Sequence, residues 1–96
     1  MSAEDLFKGH QKEYTKFEDV QNKRSNRRDM HAMMVIEEMF PNPDEGREMI
    51  SAVSHDIKWL GLSDREMELL SSDQVLELTR CGVLYDSEFD NLFMWV

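Results

Sequence analysis

Ser71-Ser-Asp-Gln-Val-Leu-Glu-Leu-Thr-Arg-Cys-Gly-Val-Leu-Tyr-Asp-Ser-Glu-Phe-Asp-Asn-Leu-Phe-Met-Trp-Val96 holds the clearest helix start, the clearest helix stop and the most apolar segment of the sequence. Ser71 followed by Gln74 is a capping box, in which each side chain accepts from the other residue's backbone amide. It opens a helix through Cys81. Gly82 stands where a left-handed C-terminal cap belongs, and Arg80 suits the negative end of the helix dipole. Val83-Leu-Tyr85 starts a short strand, and residues 86–91 turn it back into Leu92-Phe-Met-Trp-Val96. That apolar run would invite aggregation if exposed, so it is predicted to be part of the core. It does not alternate polar with apolar, so both of its faces need cover. Leu92, Met94 and Val96 are expected in the core. Phe93 and Trp95 are expected against the N-terminal helix, through Phe7, Tyr14 and Phe17, or at a subunit contact.

Working backwards, Ser63-Asp-Arg-Glu66 is another capping box, opening a short helix through Leu70. Residues 44–62 fit two descriptions. Met49, Val53, Ile57 and Leu60 suit a helix. The β-branched Ile50, Val53 and Ile57 and the Ser54-His-Asp56 turn cluster favour a hairpin, with strands Met49–Val53 and Ile57–Leu60. Ser25 or Asn26 can cap a helix running to about Phe40, which Pro41-Asn-Pro43 stops. Its predicted apolar face is Met30, Met33, Met34, Val35 or Ile36, Met39 and Phe40. In residues 1–22, Leu6, Phe7, Tyr14, Phe17 and Val20 recur at mostly helical spacing, which predicts one amphipathic helix with fraying ends. The sum is a single α+β domain over residues 1–96. Its N-terminal helices pack on an antiparallel sheet of three or four strands, with two short capped helices between hairpins.

The formal charge of −9 is unevenly spread. Residues 1–28 hold seven Lys or Arg against five acids, whereas residues 29–96 hold four against fifteen. An anionic body serves solubility and also suits a basic partner. Lys23, Arg24, Arg27 and Arg28 form the one patch able to meet phosphates or an acidic surface. Without interleaved aromatics, on an anionic protein, they are not expected to bind nucleic acid directly. Arg27 and Arg28 in the first turn of a helix oppose its dipole, so stability alone does not explain them. The methionines Met30, Met33 and Met34 suit core, or an adaptable partner-binding surface alongside Phe93 and Trp95.

Catalytic and metal chemistry find little support. Asp86, Glu88 and Asp90 have the alternate spacing of a calcium loop, but Asn91 replaces its glycine, so a polar turn is expected. His10, His31, His55 and Cys81 lie too far apart for paired metal ligands. His31 is expected near the apolar face of its helix and His55 in a turn. Cys81 at a helix C-terminus has its thiol pKa raised, the opposite of what a nucleophile needs. The adjacent pairs Glu37-Glu38 and Asp44-Glu45 point apart and are expected to be solvated charge. No glycine-rich phosphate loop is present. The chain is therefore expected to be no enzyme and to need no cofactor. A single cysteine and an N-terminus without an apolar signal segment predict a cytoplasmic protein that does not enter membranes.

Ser54-His-Asp56 with Ile57 and Leu60, and Glu77-Leu-Thr-Arg-Cys-Gly-Val83 with Tyr85-Asp86, Asp90 and the apolar end, resemble small accessory proteins encoded by bacteriophages. The resemblance covers about the last forty-five residues. It implies an accessory or host-interaction role, in which small acidic inhibitors are common. The functional expectation is an acidic protein-interaction module or inhibitor that occupies a basic site. The alternatives are a structural or regulatory homo-oligomer and a nucleic-acid binder through residues 23–28.

Overall fold

The computed structural model describes residues 2–46, 48–54 and 56–95, and of Glu45 the backbone alone. Its elements are α1 (Ala3–Gly9), α2 (Arg28–Met39), β1 (Ile50–Ser54), β2 (Ile57–Leu60), α3 (Asp64–Glu68), α4 (Ser72–Arg80), β3 (Leu84–Asp86) and β4 (Asn91–Trp95). The strands form one antiparallel sheet in the order β1-β2-β4-β3. The expected α+β architecture is present, with β4 in the interior of the sheet. The hairpin, not the helix, is found here, as β1 and β2. His55, expected in a turn, and Val96, expected in the core, lie outside the described residues.

Both capping boxes form. Ser63 Oγ accepts from the Glu66 amide while the Glu66 carboxylate accepts from that of Ser63, and Ser71 and Gln74 repeat the exchange. Helix α4 ends in a Schellman motif. The Gly82 amide donates to the Thr79 carbonyl, the Val83 amide to that of Leu78, and Gly82 takes a φ of 92°. This tight exit buries Val83 completely and delays the strand to Leu84.

The register sets the faces. Lys58 stands opposite Met94, so Lys58, Leu60, Leu92 and Met94 share one side. Leu60, Leu92 and Met94 are buried with Phe7 of α1, Val35 and Ile36 of α2, Met67 of α3 and Val75 and Leu78 of α4. The helices thus cover one face of the sheet and the core lies between.

Two helix expectations change. The amphipathic helix over residues 1–22 shortens to α1, capped by Ser2. Beyond it the chain makes 3-10 turns at Gln11–Glu13 and Phe17–Asp19, and Thr15 adopts a φ of 60°. Tertiary ties override the helical spacing here. The Thr15 amide donates to the Thr79 carbonyl, His10 Nε2 bonds Ser72 Oγ, and Arg80 Nη2 reaches Glu13 Oε1 at 2.6 Å. Helix α2 starts at Arg28, without a side-chain cap, because Ser25 Oγ takes the Arg27 amide instead. Its buried residues are His31, Ala32, Val35 and Ile36. Met30 and Met34 face outward and Met33 is half-buried, so the methionine stripe is not the core face.

Gly61 follows β2 in a close approach. Its amide donates to the Met49 carbonyl, and a Cβ there would lie 1.8 Å from the Glu48 carbonyl oxygen. Gly61→Ala should therefore lower the urea midpoint sharply. Gly9→Ala, with nothing within 4 Å of the added carbon, should be neutral or stabilising by up to about 1 kcal/mol. Leu92→Ala should cost about 2–5 kcal/mol. Tryptophan fluorescence during urea unfolding measures all three, and a wild-type midpoint for Gly61→Ala would refute the close approach.

Candidate functional site

Among the described residues no helix packs on the second face of the sheet. Ile57 pairs with Trp95, Trp59 with Phe93 and Leu84 with Phe93, which places all five side chains on this side. The 86–91 turn adds Phe89, whose ring meets Trp59 edge-on at 5.8 Å between centroids. Phe93 and Trp95 make a second edge contact at 5.9 Å. Trp95 is 54% exposed and Phe89 63%. Trp59 and Phe93 beside them are half-buried. Large apolar side chains left contiguous on a surface mark an interaction site more often than scattered ones do.

The rim is acidic. Asp86 Oδ2 accepts from Trp59 Nε1 at 3.2 Å, fixing the indole, while Oδ1 accepts from the Glu88 and Phe89 amides and holds the turn. Glu88 is exposed in that turn, and Asp56 is exposed in the β1–β2 turn. Lys58, the one cation in the four strands, points to the other side. The face therefore combines an aromatic centre with negative edges.

The predicted contact residues do not form one patch. Phe93 and Trp95 belong to this face; Met30 and Met34 lie on the solvent side of α2, across the core from it, with Met33 between core and surface. The internal cover expected for Phe93 and Trp95 is not the arrangement found: α1 packs on the opposite face, where Phe7 stacks on Tyr85 at 6.4 Å. Trp59, Ile57, Leu84 and Phe89 were missing from the sequence-based set. The alternation in Ile57-Lys-Trp-Leu60 signals that Trp59 shares a face with Ile57, but only the register brings that face beside Phe93 and Trp95.

The basic segment is divided as well. Arg24 holds Glu38 through two bonds of 2.9 and 3.1 Å, and Lys23 sits 4.8 Å over the Phe17 ring. Arg27 and Arg28 make no side-chain hydrogen bond or ion pair among the described residues. Beside Arg24 a cleft of about 340 Å³ is lined by His31, Glu38, Glu77 and Arg80, among others. The charges of Arg24, Glu38, Glu77 and Arg80 there are engaged. His31 is fully buried; its Nδ1 accepts from the Arg24 amide at 3.0 Å, so its Nε2 carries the proton donated to Glu77 at 2.8 Å. Neither nitrogen is free for proton transfer. His31 joins the 20–27 loop to α4.

Cys81 is fully buried, and its thiol is pushed up to about 12, first by burial and then by the Glu77 carboxylate. The direction matches the expectation from the helix end, but desolvation is the larger cause. Asp86, Glu88 and Asp90 form a turn: Asp90 accepts from the Tyr85 hydroxyl and has a φ of 51°. Glu38 is paired with Arg24, and Asp44 accepts from Ser63 and Arg65, so neither is merely solvated charge. Among the described residues no group of three His, Cys, Asp or Glu is arranged to hold a metal ion. No helix in them is long and apolar enough to cross a membrane.

Comparison with known proteins gives no match to a family model, to a curated protein or to a solved structure.

Two measurements test this geometry. Trp95→Ala should change stability by no more than about 1 kcal/mol, because more than half the side chain is already in water. A loss as large as that of Leu92→Ala would mean that the outer face is covered. The second is acid sensitivity. Arg80, then Lys16, holds the Glu13 carboxyl below its ordinary value, and Arg24 does the same for Glu38. Lowered folded-state values give stability that is present above the unfolded-state value, about 4.3, and lost as pH falls through the folded values. Thermal midpoints should therefore decline below about pH 4, and Glu13→Gln should flatten that decline.

Proposed function

We propose that this chain is a non-enzymatic protein-interaction module, an acidic accessory protein of the kind bacteriophages encode. It docks through the outer face of its sheet and inhibits its partner by occupying a basic site. The observation that carries this is the aromatic face itself. Trp59, Phe89, Phe93 and Trp95 share one uncovered surface with Ile57 and Leu84, edged by Asp86 and Glu88. Aromatic side chains dominate the energetic centres of protein interfaces, because they contribute large area at small entropic cost. Acidic edges add steering toward a positive surface and discriminate against negative ones. A cytoplasmic setting fits the lone cysteine.

A homo-oligomer is the second reading, favoured by β1. This edge strand is exposed along its whole length, with Val53 at 67% and Ile50 at 36%. An unpaired edge of this kind can accept another strand. Two copies meeting through the outer faces would instead bring Asp86 and Glu88 near their own duplicates, which is unfavourable.

The test separates the two. Phe93→Ser with Trp95→Ser should leave folding intact and abolish capture of the partner. Glu88→Gln with Asp56→Asn should weaken capture mainly at low salt. Solution mass should be that of a monomer. A partner retained by the aromatic double variant would refute docking through this face. A concentration-dependent dimer broken by Val53→Lys would establish the second reading in its place.

A further inference from the structure

One other place on the molecule gathers cations whose hydrogen-bonding capacity is unspent. A cleft of about 290 Å³ is lined by Tyr14, Arg28, Asp29, Lys58, Cys81, Gly82, Met94 and Trp95. Its floor contains Lys58, only 7% exposed although it carries an ammonium group. That group has three donors. One reaches Asp29 Oδ2 at 3.3 Å, and no other acceptor meets it among the described residues. A buried ammonium with a single long bond is costly unless something else completes its shell.

Arg28 stands at the same cleft. Its Nη1 lies 3.3 Å from where a Cβ on Gly82 would be, so the guanidinium rests over the glycine that ends α4. The side chain is exposed and has no ion-pair partner among the described residues. Tyr14 and Trp95 complete the lining. Asp29 does not cancel this charge fully. Its Oδ1 accepts from the Met30 amide and its Oδ2 from Lys58; burial raises its pKa, but the two bonds, the Lys58 charge and its own backbone together leave it lowered. The cleft thus carries two cations against one anion, in a protein whose net charge is −9. The larger cleft beside His31 shows the contrast, since its guanidinium groups are already bonded to carboxylates.

We propose that this cleft binds a phosphate group, as the free ion or as the monoester of a small molecule. A phosphate carries up to two negative charges near neutral pH and several acceptor oxygens. It can take the free donors of Lys58 together with the fork of Arg28. The same arrangement accounts for a cation in the first turn of α2, where the helix dipole alone disfavours one. The cleft is at the small end of ligand pockets, about 300–1,000 Å³, so its ligand is compact. This site shares only Trp95 with the outer sheet face, and neither proposal requires the other.

Titration with inorganic phosphate and with phenyl phosphate, at constant ionic strength and followed by nuclear magnetic resonance, tests it. The backbone amides of Cys81, Gly82 and Trp95 should shift saturably. Arg28 is exposed and unpaired, so Arg28→Gln should fold normally and weaken binding by roughly tenfold, the worth of one charge-assisted bond. Lys58→Met should abolish binding. Arg27→Gln, a neighbouring cation that does not line the cleft, should change nothing. Tighter binding of phenyl phosphate assigns the monoester, and equal affinities assign the free ion. Shifts that grow without saturating, or that Arg27→Gln reduces as much as Arg28→Gln, overturn the proposal.

Discussion

A four-stranded sheet has two faces, and the helices of this chain cover only one. That constraint organises everything else. Leu60, Leu92 and Met94 take the covered side and form the floor of the core, with Val75 and Leu78 of α4 above them. What is left on the other side is fixed by the pleat, because neighbouring residues of a strand must point in opposite directions. Trp59, Phe93 and Trp95 cannot turn inward without expelling the residues on which the core is built. Their exposure is thus a consequence of the same alternation that buries Leu92.

The ties between the N-terminal segment and α4 do a different job. α1 is only seven residues long, too short to hold by itself in water. It is secured by Phe7 in the core and by three polar links, from His10, Glu13 and Thr15, to Ser72, Arg80 and Thr79. His31 repeats the strategy for the following loop, bonded at once to the Arg24 amide and to Glu77. Residues that do not form regular structure are ordered here by side chains of the helices they cross.

Much of the fold was legible in local chemistry. Ser63 and Ser71 announced their helices, Gly82 announced its left-handed stop, and the β-branched Ile50, Val53 and Ile57 indicated strands. These signals are short-range, and they survive folding because nothing in the core contradicts them. Spacing alone overextends the N-terminal helix, because it cannot show that Arg80 and Thr79, more than sixty residues away, compete for its backbone and side chains. The methionines misled for a related reason. His31, polar in any hydropathy scale, is buried because Glu77 and a backbone amide satisfy both its nitrogens, and that rotates Met30 and Met34 outward. Of the candidate face, Phe93 and Trp95 were visible as the second side of β4. Trp59, Leu84 and Phe89 were not, because register is a property of the pairing and not of either strand.

The burial of Cys81 has a practical meaning for how the molecule ages and how it can be watched. A thiol held so far above neutrality contains almost no thiolate, the form that reacts with oxidants and alkylating agents. In the native protein it is chemically silent. Each time α4 and the chain around it open to solvent, the same group recovers ordinary reactivity. Alkylation at Cys81 is therefore a built-in clock for that opening, recording rare excursions of the core that equilibrium spectroscopy averages away.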